Sequence, residues 1–448
     1  MSSSRDSFGN IIAVGFMLFA LFFGAGNLIF PVQLGQLAGS NVFSANLGFI
    51  ITGVGLPVLG ILALAFSGKS DLESLAGRVN PVYGIFFTVA LYLTIGPLFA
   101  IPRTNTVAYE IGIAPFVGNQ ESHLPLFIFT IIFFGLTLYF SLKSSKIVDI
   151  VGKILTPILL VVIAILIIAA FVHPIGVIQD PTETYISNSF FKGFQEGYNT
   201  MDALAAFVFG IIIINIMKDR GARTKKEIMV STGKVALVAG VLLAVIYSSL
   251  AFLGATSVEG LGYLENGGSV LAAASQHFFG WYGKLILAVI VIAACLTTSI
   301  GLITSCAAYF KKLVPALSYK QWAVIFTLFS AVVSNFGLST IISFSIPVLV
   351  ALYPLAMCLM VLTFLHPLFQ GRKEVYQVSI LVTFILSIND GLNAAGVKIA
   401  AVNELLESIL PLYSVGLGWI VPAIIGGVIG YLISIIKRGA LSPEPIEE

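Results

Sequence analysis

Twelve apolar runs constrain this chain more than any single residue does. They centre on about 11–31, 45–66, 82–102, 124–141, 154–172, 197–217, 235–254, 282–310, 321–336, 340–365, 375–394 and 412–436, most of them close to the ~20 residues that cross a hydrocarbon layer. Backbone N–H and C=O groups find no water there, so each crossing must be an α-helix or a strand of a closed barrel. Barrel strands alternate in short segments, whereas these runs are solid. Only 10% of the 448 residues are charged, where soluble domains carry about a quarter. The chain reads as an all-α membrane protein of twelve transmembrane helices, one polytopic domain embedded in the lipid bilayer. Its least regular run is the eleventh, which Ser387, Asn389 and Asp390 interrupt.

Lysine and arginine placement tests that count independently, because cytoplasmic loops hold an excess of both. With the N-terminus cytoplasmic, nineteen of the 23 basic residues fall in inside loops and tails. Only Lys192, Lys284 and Lys398 fall outside, and Arg103 lies near the end of span three. A miscounted span would scramble the division from that point on. Both termini are therefore expected in the cytoplasm. The first run carries no cleavage site of the signal-peptide kind and reads as a retained span. Cys295, Cys306 and Cys358 sit in apolar runs without CxxC spacing and read as packing residues. Two long outside connections, about 173–195 and 255–280, either cap an external vestibule or merely link helices. The acidic tail after Ser442 reads as disordered.

The first run is interrupted by Phe22-Phe23-Gly24-Ala25-Gly26-Asn27-Leu28-Ile29-Phe30-Pro31. Gly and Asn are poor helix formers, and Pro31 supplies no N–H. Either Gly24 and Gly26 form a close helix-packing face, or the helix breaks here. A break leaves bare backbone groups, which a membrane tolerates only where they line an enclosed cavity. Gly24 and Gly26 are two residues apart and point to different sides of a helix, which favours the break.

The same ten residues resemble the signature of the bacterial branched-chain amino acid:cation symporters, members of the amino acid–polyamine–organocation superfamily. The resemblance implies the fold of the bacterial leucine transporter, a bacterial cell-membrane location, and import of leucine, isoleucine and valine with a cation.

Span six holds a second interruption, Tyr198-Asn199-Thr200-Met201-Asp202-Ala203. A carboxylate at the centre of a span costs about 3 kcal/mol on insertion scales. Asp202 thus either faces a cavity or a partner, or lies in the outer interface with the span beginning after it. Breaks in spans one and six are five spans apart, and an odd offset orients the two helices oppositely. That is the mark of an inverted repeat, here about 9–172 and 193–365, with peripheral helices at about 375–436. In such transporters half-helix N-termini attract a substrate carboxylate, and carbonyls coordinate the cation. The substrate carboxylate is assigned to the backbone of Gly24, Ala25, Gly26 and Asn27, and its ammonium to oxygens near Thr200, Met201 and Asp202, with Ala203 also counted to the substrate site. Phe99 and Phe207 either wall a pocket for an aliphatic side chain or are plain packing.

Span eight contains Ala294-Cys295-Leu296-Thr297-Thr298-Ser299-Ile300. Hydroxyls and carbonyls are the hard oxygens a sodium ion takes (compare), but threonines in membrane helices commonly bond back to a carbonyl one turn earlier. This run is similar to the span-eight motif of leucine-transporter-type sodium sites. The resemblance implies a Na+ site of Ala294, Thr297 and Thr298 with Ala20 and Phe23. In proton-coupled relatives a span-five lysine stands near this place. Lys153 is the candidate for it, or is an ordinary cytoplasmic lysine beside Lys143 and Lys146.

Pro97 and Pro102 are expected to kink or end span three. Arg103 either pairs with Glu110 or Asp202 or snorkels to the outer interface, the reading favoured here. The chain shows no Walker-type loop, nucleotide fingerprint or paired-histidine spacing, so uphill transport would draw on an ion gradient, Na+ or H+. No enzyme activity, organic cofactor, nucleic acid or obligate protein partner is expected. A channel, or a same-fold transporter of another small neutral amino acid, is the alternative to a branched-chain symporter.

Overall fold

The computed structural model describes residues 8–69, 71–117, 124–143 and 145–438, except for the side chains of Phe8 and of 145–156. The acidic tail and the Lys153 side chain lie outside the described residues. Every element among the described residues is helical. The first half of the chain carries α1 (Phe8–Phe22), α2 (Ala25–Ala38), α3 (Val42–Ile50), α4 (Leu56–Ser67), α5 (Leu72–Ala76), α6 (Pro81–Leu93), α7 (Ala100–Gly112), α8 (Leu124–Leu142) and α9 (Ser145–Val172). There follow α10 (Glu183–Ile186), α11 (Ser189–Glu196), α12 (Asp202–Asp219), α13 (Lys225–Leu261), α14 (Gly267–Leu313) and α15 (Tyr319–Ser334). The chain closes with α16 (Leu338–Leu365), α17 (Lys373–Ala394), α18 (Ala400–Ile409) and α19 (Ile420–Arg438).

Helix is present in all twelve expected runs. Among the described residues, eight helical stretches are long and apolar enough to cross a membrane, or nine if the bent pair Ser189–Thr200 and Asp202–Asp219 is one span. Two shorter apolar helices, Gly9–Phe22 and Pro157–Val172, accompany them. The connection expected over 255–280 is mostly helical. α13 continues to Leu261 and α14 begins at Gly267, with a non-helical joint at Gly280, where φ is +61°.

The chain divides into two units. One comprises Met1–Val58, Leu91–Ala205 and Lys234–Ser345, and the other Leu59–Ala90, Ala206–Gly233 and Ile346–Glu448. In lipid no hydrophobic force drives helices together, so close van der Waals approach through small residues must. In the first unit a Cβ on Gly35 of α2 would strike the Ala251 carbonyl of α13, and one on Gly254 would strike the Val32 carbonyl. Gly267 of α14 stands the same way against the Ile29 carbonyl. α2 is thereby seated backbone to backbone on two neighbours. α11 is seated on α3 by Gly193 against the Ala45 carbonyl, and the Thr52 hydroxyl donates to the Phe194 carbonyl at 2.7 Å. These contacts fix the helices that flank both breaks.

In the second unit α19 lies on α17, where Gly430 leaves room for the Glu374 carbonyl and the Ser379 hydroxyl donates to the Ala423 carbonyl at 3.0 Å. α17 is continuous through the polar residues that made its run irregular. Asn389 donates to the Tyr413 hydroxyl at 2.8 Å, and Asn393 exchanges 2.8 Å bonds with Asn403 of α18.

Candidate functional site

Three helix breaks lie within the first unit. α1 ends at Phe22, Gly24 is extended with φ −115° and ψ −161°, and α2 starts at Ala25. The Gly24 N–H donates to Asn27 Oδ1 at 3.0 Å, so the side chain of Asn27 caps the new helix from inside. The span-six segment breaks at Met201, whose φ of +62° is left-handed, and the two halves are bent by 46°. A non-glycine residue with that φ is uncommon and costs of order 1 kcal/mol, held here by its surroundings. The third break runs from Gly96 (φ −103°, ψ −126°) to Phe99, between α6 and α7. Here the carbonyls of Pro97 and Pro102 accept from the hydroxyls of Ser330 and Ser334 on α15, at 3.4 and 3.2 Å.

The first two breaks meet through side chains. Asn27 Nδ2 donates to Asp202 Oδ2 at 2.6 Å and also to the Tyr247 hydroxyl, while that hydroxyl donates to the same Asp202 oxygen at 2.9 Å. Asn27, Asp202 and Tyr247 are 2, 3 and 0% exposed. The Asp202 N–H turns to the Thr200 hydroxyl at 3.3 Å, and that hydroxyl in turn donates to the Gly197 carbonyl at 3.0 Å. A buried carboxylate is thus met by donors from two other helices, as burial of a charge requires.

Arg103 links the third break to the second. It stands at the start of α7, donates to the Asn199 carbonyl at 2.8 Å, and lies over the Phe30 ring at 5.0 Å. A Cβ on Gly26 would be 3.6 Å from its guanidinium carbon. It is 3% exposed, so the expectation that it snorkels to the outer interface is corrected. The helix is interrupted at Gly96, just before Pro97, and the guanidinium beyond it is held inward by the Asn199 carbonyl and the Phe30 ring.

Span eight reaches the first break as well. A Cβ on Gly24 would lie 3.3 Å from Thr298 Cγ2 and 3.6 Å from its hydroxyl. Thr297 and Thr298 both donate to the Ala294 carbonyl, at 2.8 and 3.1 Å. Phe23 is buried and stacked on Phe19 at 4.9 Å, and Ala20 is half-buried.

Gly24, Gly26, Asn27, Thr200, Asp202 and Thr298 are therefore brought together, with Ala25, Met201 and Ala203 buried beside them in the chain. Phe99 is 9% exposed at the third break. Phe207 is fully buried but belongs to the second unit. Sequence reasoning missed Tyr247 and the inward turn of Arg103. For Tyr247 the signal was faint, one tyrosine beside Ser248 and Ser249 inside an apolar run.

Comparison with solved structures places this architecture in the leucine-transporter-type fold class. Similar chains include Mhp1, a nucleobase-cation-symport-1 family transporter in a closed conformation with bromovinylhydantoin bound, at TM-score 0.63 and 13% identity, covering 97% of this chain and 94% of that one. Another is MhsT in complex with L-phenylalanine, at TM-score 0.55 and 16% identity, covering 97% and 99%. A family model described as "Branched-chain amino acid transport protein" matches residues 7–437. The chain is 57% identical to the branched-chain amino acid permease BrnQ of Bacillus subtilis over 97% of its length and 99% of the relative's. It is 42% identical to the BrnQ permease of Escherichia coli K12, covering 94% of each. The protein belongs to the branched-chain amino acid transport protein family; it is a transporter and not an enzyme.

Proposed function

We propose that the protein is a secondary active symporter that imports leucine, isoleucine and valine across a bacterial cell membrane, coupled to Na+. Twelve crossings, an inverted repeat of 9–172 and 193–365, and cytoplasmic termini are part of this reading. The names of the relatives support the substrate class. The observation that carries the mechanism is the meeting of two helix breaks through Asn27 and Asp202, with Thr298 against Gly24.

The amino acid sits across those breaks, its ammonium on Asp202 and the carbonyls near Thr200 and Met201, its carboxylate toward the backbone of Gly24, Ala25, Gly26 and Asn27 at the buried start of α2. Sodium takes the Ala294 carbonyl, the Thr297 and Thr298 hydroxyls, and the Ala20 and Phe23 carbonyls at the end of α1. Contact between Gly24 and Thr298 couples the two ligands, because the residue that starts the substrate's half-helix also touches the cation's. Each ligand then changes the other's affinity by the same factor.

Uptake of labelled leucine into proteoliposomes holding the purified protein tests this. An inward sodium gradient is expected to drive accumulation above the external concentration, abolished by a sodium ionophore. Accumulation under a proton gradient alone would keep the substrate and overturn the sodium assignment, turning attention to Lys153. Accumulation under neither gradient would overturn the symporter reading.

A further inference from the structure

We propose that Arg103 receives the carboxylate of the transported amino acid, facing the ammonium-binding Asp202 across the same pair of helix breaks. This rests on the amino-acid reading above and goes beyond it, since the anionic end had been assigned to backbone groups alone.

Two charges of opposite sign lie buried at one place in the chain's first unit. Intramembrane charges are costly and mark ligand paths or partners, and both of these are 3% exposed. Their supports interleave along two short segments. Gly26 faces the guanidinium, and the next residue, Asn27, donates to the Asp202 carboxylate. Asn199 accepts from Arg103 through its carbonyl, and three residues later comes Asp202 itself. One small ligand lying along these segments therefore meets a cation toward one end and an anion toward the other.

An amino-acid zwitterion has that charge pattern, and its binding leaves the pair balanced. Guanidinium suits the anionic end because its planar fork of N–H donors matches a carboxylate, which a lysine ammonium does not. The Asn199 carbonyl and the Phe30 ring hold that fork in place. Gly26 keeps the helix backbone close to this arginine: a Cβ there would lie 3.1 Å from the Phe30 ring and 3.6 Å from the guanidinium carbon. Recognition at both ends excludes amines and acids that carry the right side chain but one charge. A site built around a buried charged donor rejects ligands lacking its partner strongly.

The test is competition against labelled leucine on the purified full-length protein, using leucine and leucinamide, which keeps the side chain and ammonium but lacks the carboxylate. Wild type is expected to bind leucinamide about 100-fold more weakly than leucine. Arg103→Gln is expected to lose about 100-fold in leucine affinity while leucinamide affinity stays within about 3-fold. Arg103→Lys, which keeps charge without the fork, should fall between. Equal weakening of both ligands in Arg103→Gln, as a purely structural arginine would give, overturns the assignment. Tight leucinamide binding by wild type overturns it too, and this arm stands even if the variants do not fold. Absence of leucine binding by wild type would instead sink the amino-acid reading, and this assignment with it.

Discussion

Asn27 carries more of the site than any other side chain. Its oxygen caps Gly24 and its nitrogen reaches both Asp202 and Tyr247. Tyr247→Phe removes one donor from a buried carboxylate, a loss of about 1.5–3 kcal/mol for a charge-assisted bond, so leucine affinity is expected to fall at least about 10-fold with insertion unchanged; equilibrium binding checks this. Asn27→Ala should cost more, because the helix cap goes with it. At the proposed cation site, Thr298→Ala is expected to raise the sodium concentration for half-maximal uptake about 10-fold, of the order of one lost ligand, and an unchanged sodium curve would move the cation elsewhere. Asp202 and Asn27 were legible in the sequence because polar groups in an apolar run must be explained. Tyr247 was not, since a tyrosine packs as readily as it donates and only its fold neighbours reveal which. Arg103 was visible but misread: near a span end a long side chain reaches water, and the groups that hold it inward, the Asn199 carbonyl and the Phe30 ring, are distant in sequence.

At the scale of elements, the breaks were legible from glycine, asparagine and proline, since these types withdraw backbone bonding whatever surrounds them. What holds the broken pieces was not. The close seating of α2 on α13 depends on Gly35 and Gly254 facing each other's partner helix. Gly35→Ala would drive a methyl into the Ala251 carbonyl, and overpacking of this kind costs about 1–3 kcal/mol; thermal unfolding should show a lowered midpoint. Beyond the end of α16, His366 lies 2.9 Å from the Tyr376 hydroxyl. Burial, then the charges of Arg78, Lys225 and Lys69, lower its pKa from 6.5 to about 4. The unfolded chain takes up this proton near pH 6.5 and the folded protein only near 4, so stability is full above 6.5 and falls as pH drops toward 4. Wild type is expected to lose stability over that window more steeply than His366→Gln, measured by thermal unfolding at each pH.

At the scale of the whole molecule, hydropathy and basic-residue placement gave the helical membrane class, and comparison agrees with it. The division into two units, each drawn from three separate stretches, was not legible, because four of its five boundaries fall within apolar runs, where no composition shift marks them. Orientation belongs to this scale too. Reporter fusions at either terminus are expected to be active in the cytoplasm, and activity of one terminus outside would remove a crossing from the count. The breaks of spans one and six are proposed to form one amino-acid site around Asp202. The measurement that tests it most directly is equilibrium binding of labelled leucine to purified wild type and Asp202→Asn, each verified as folded by gel filtration. Saturable binding by wild type, weakened about 100-fold or more in Asp202→Asn, is the predicted result. Equal binding by the two proteins would contradict it.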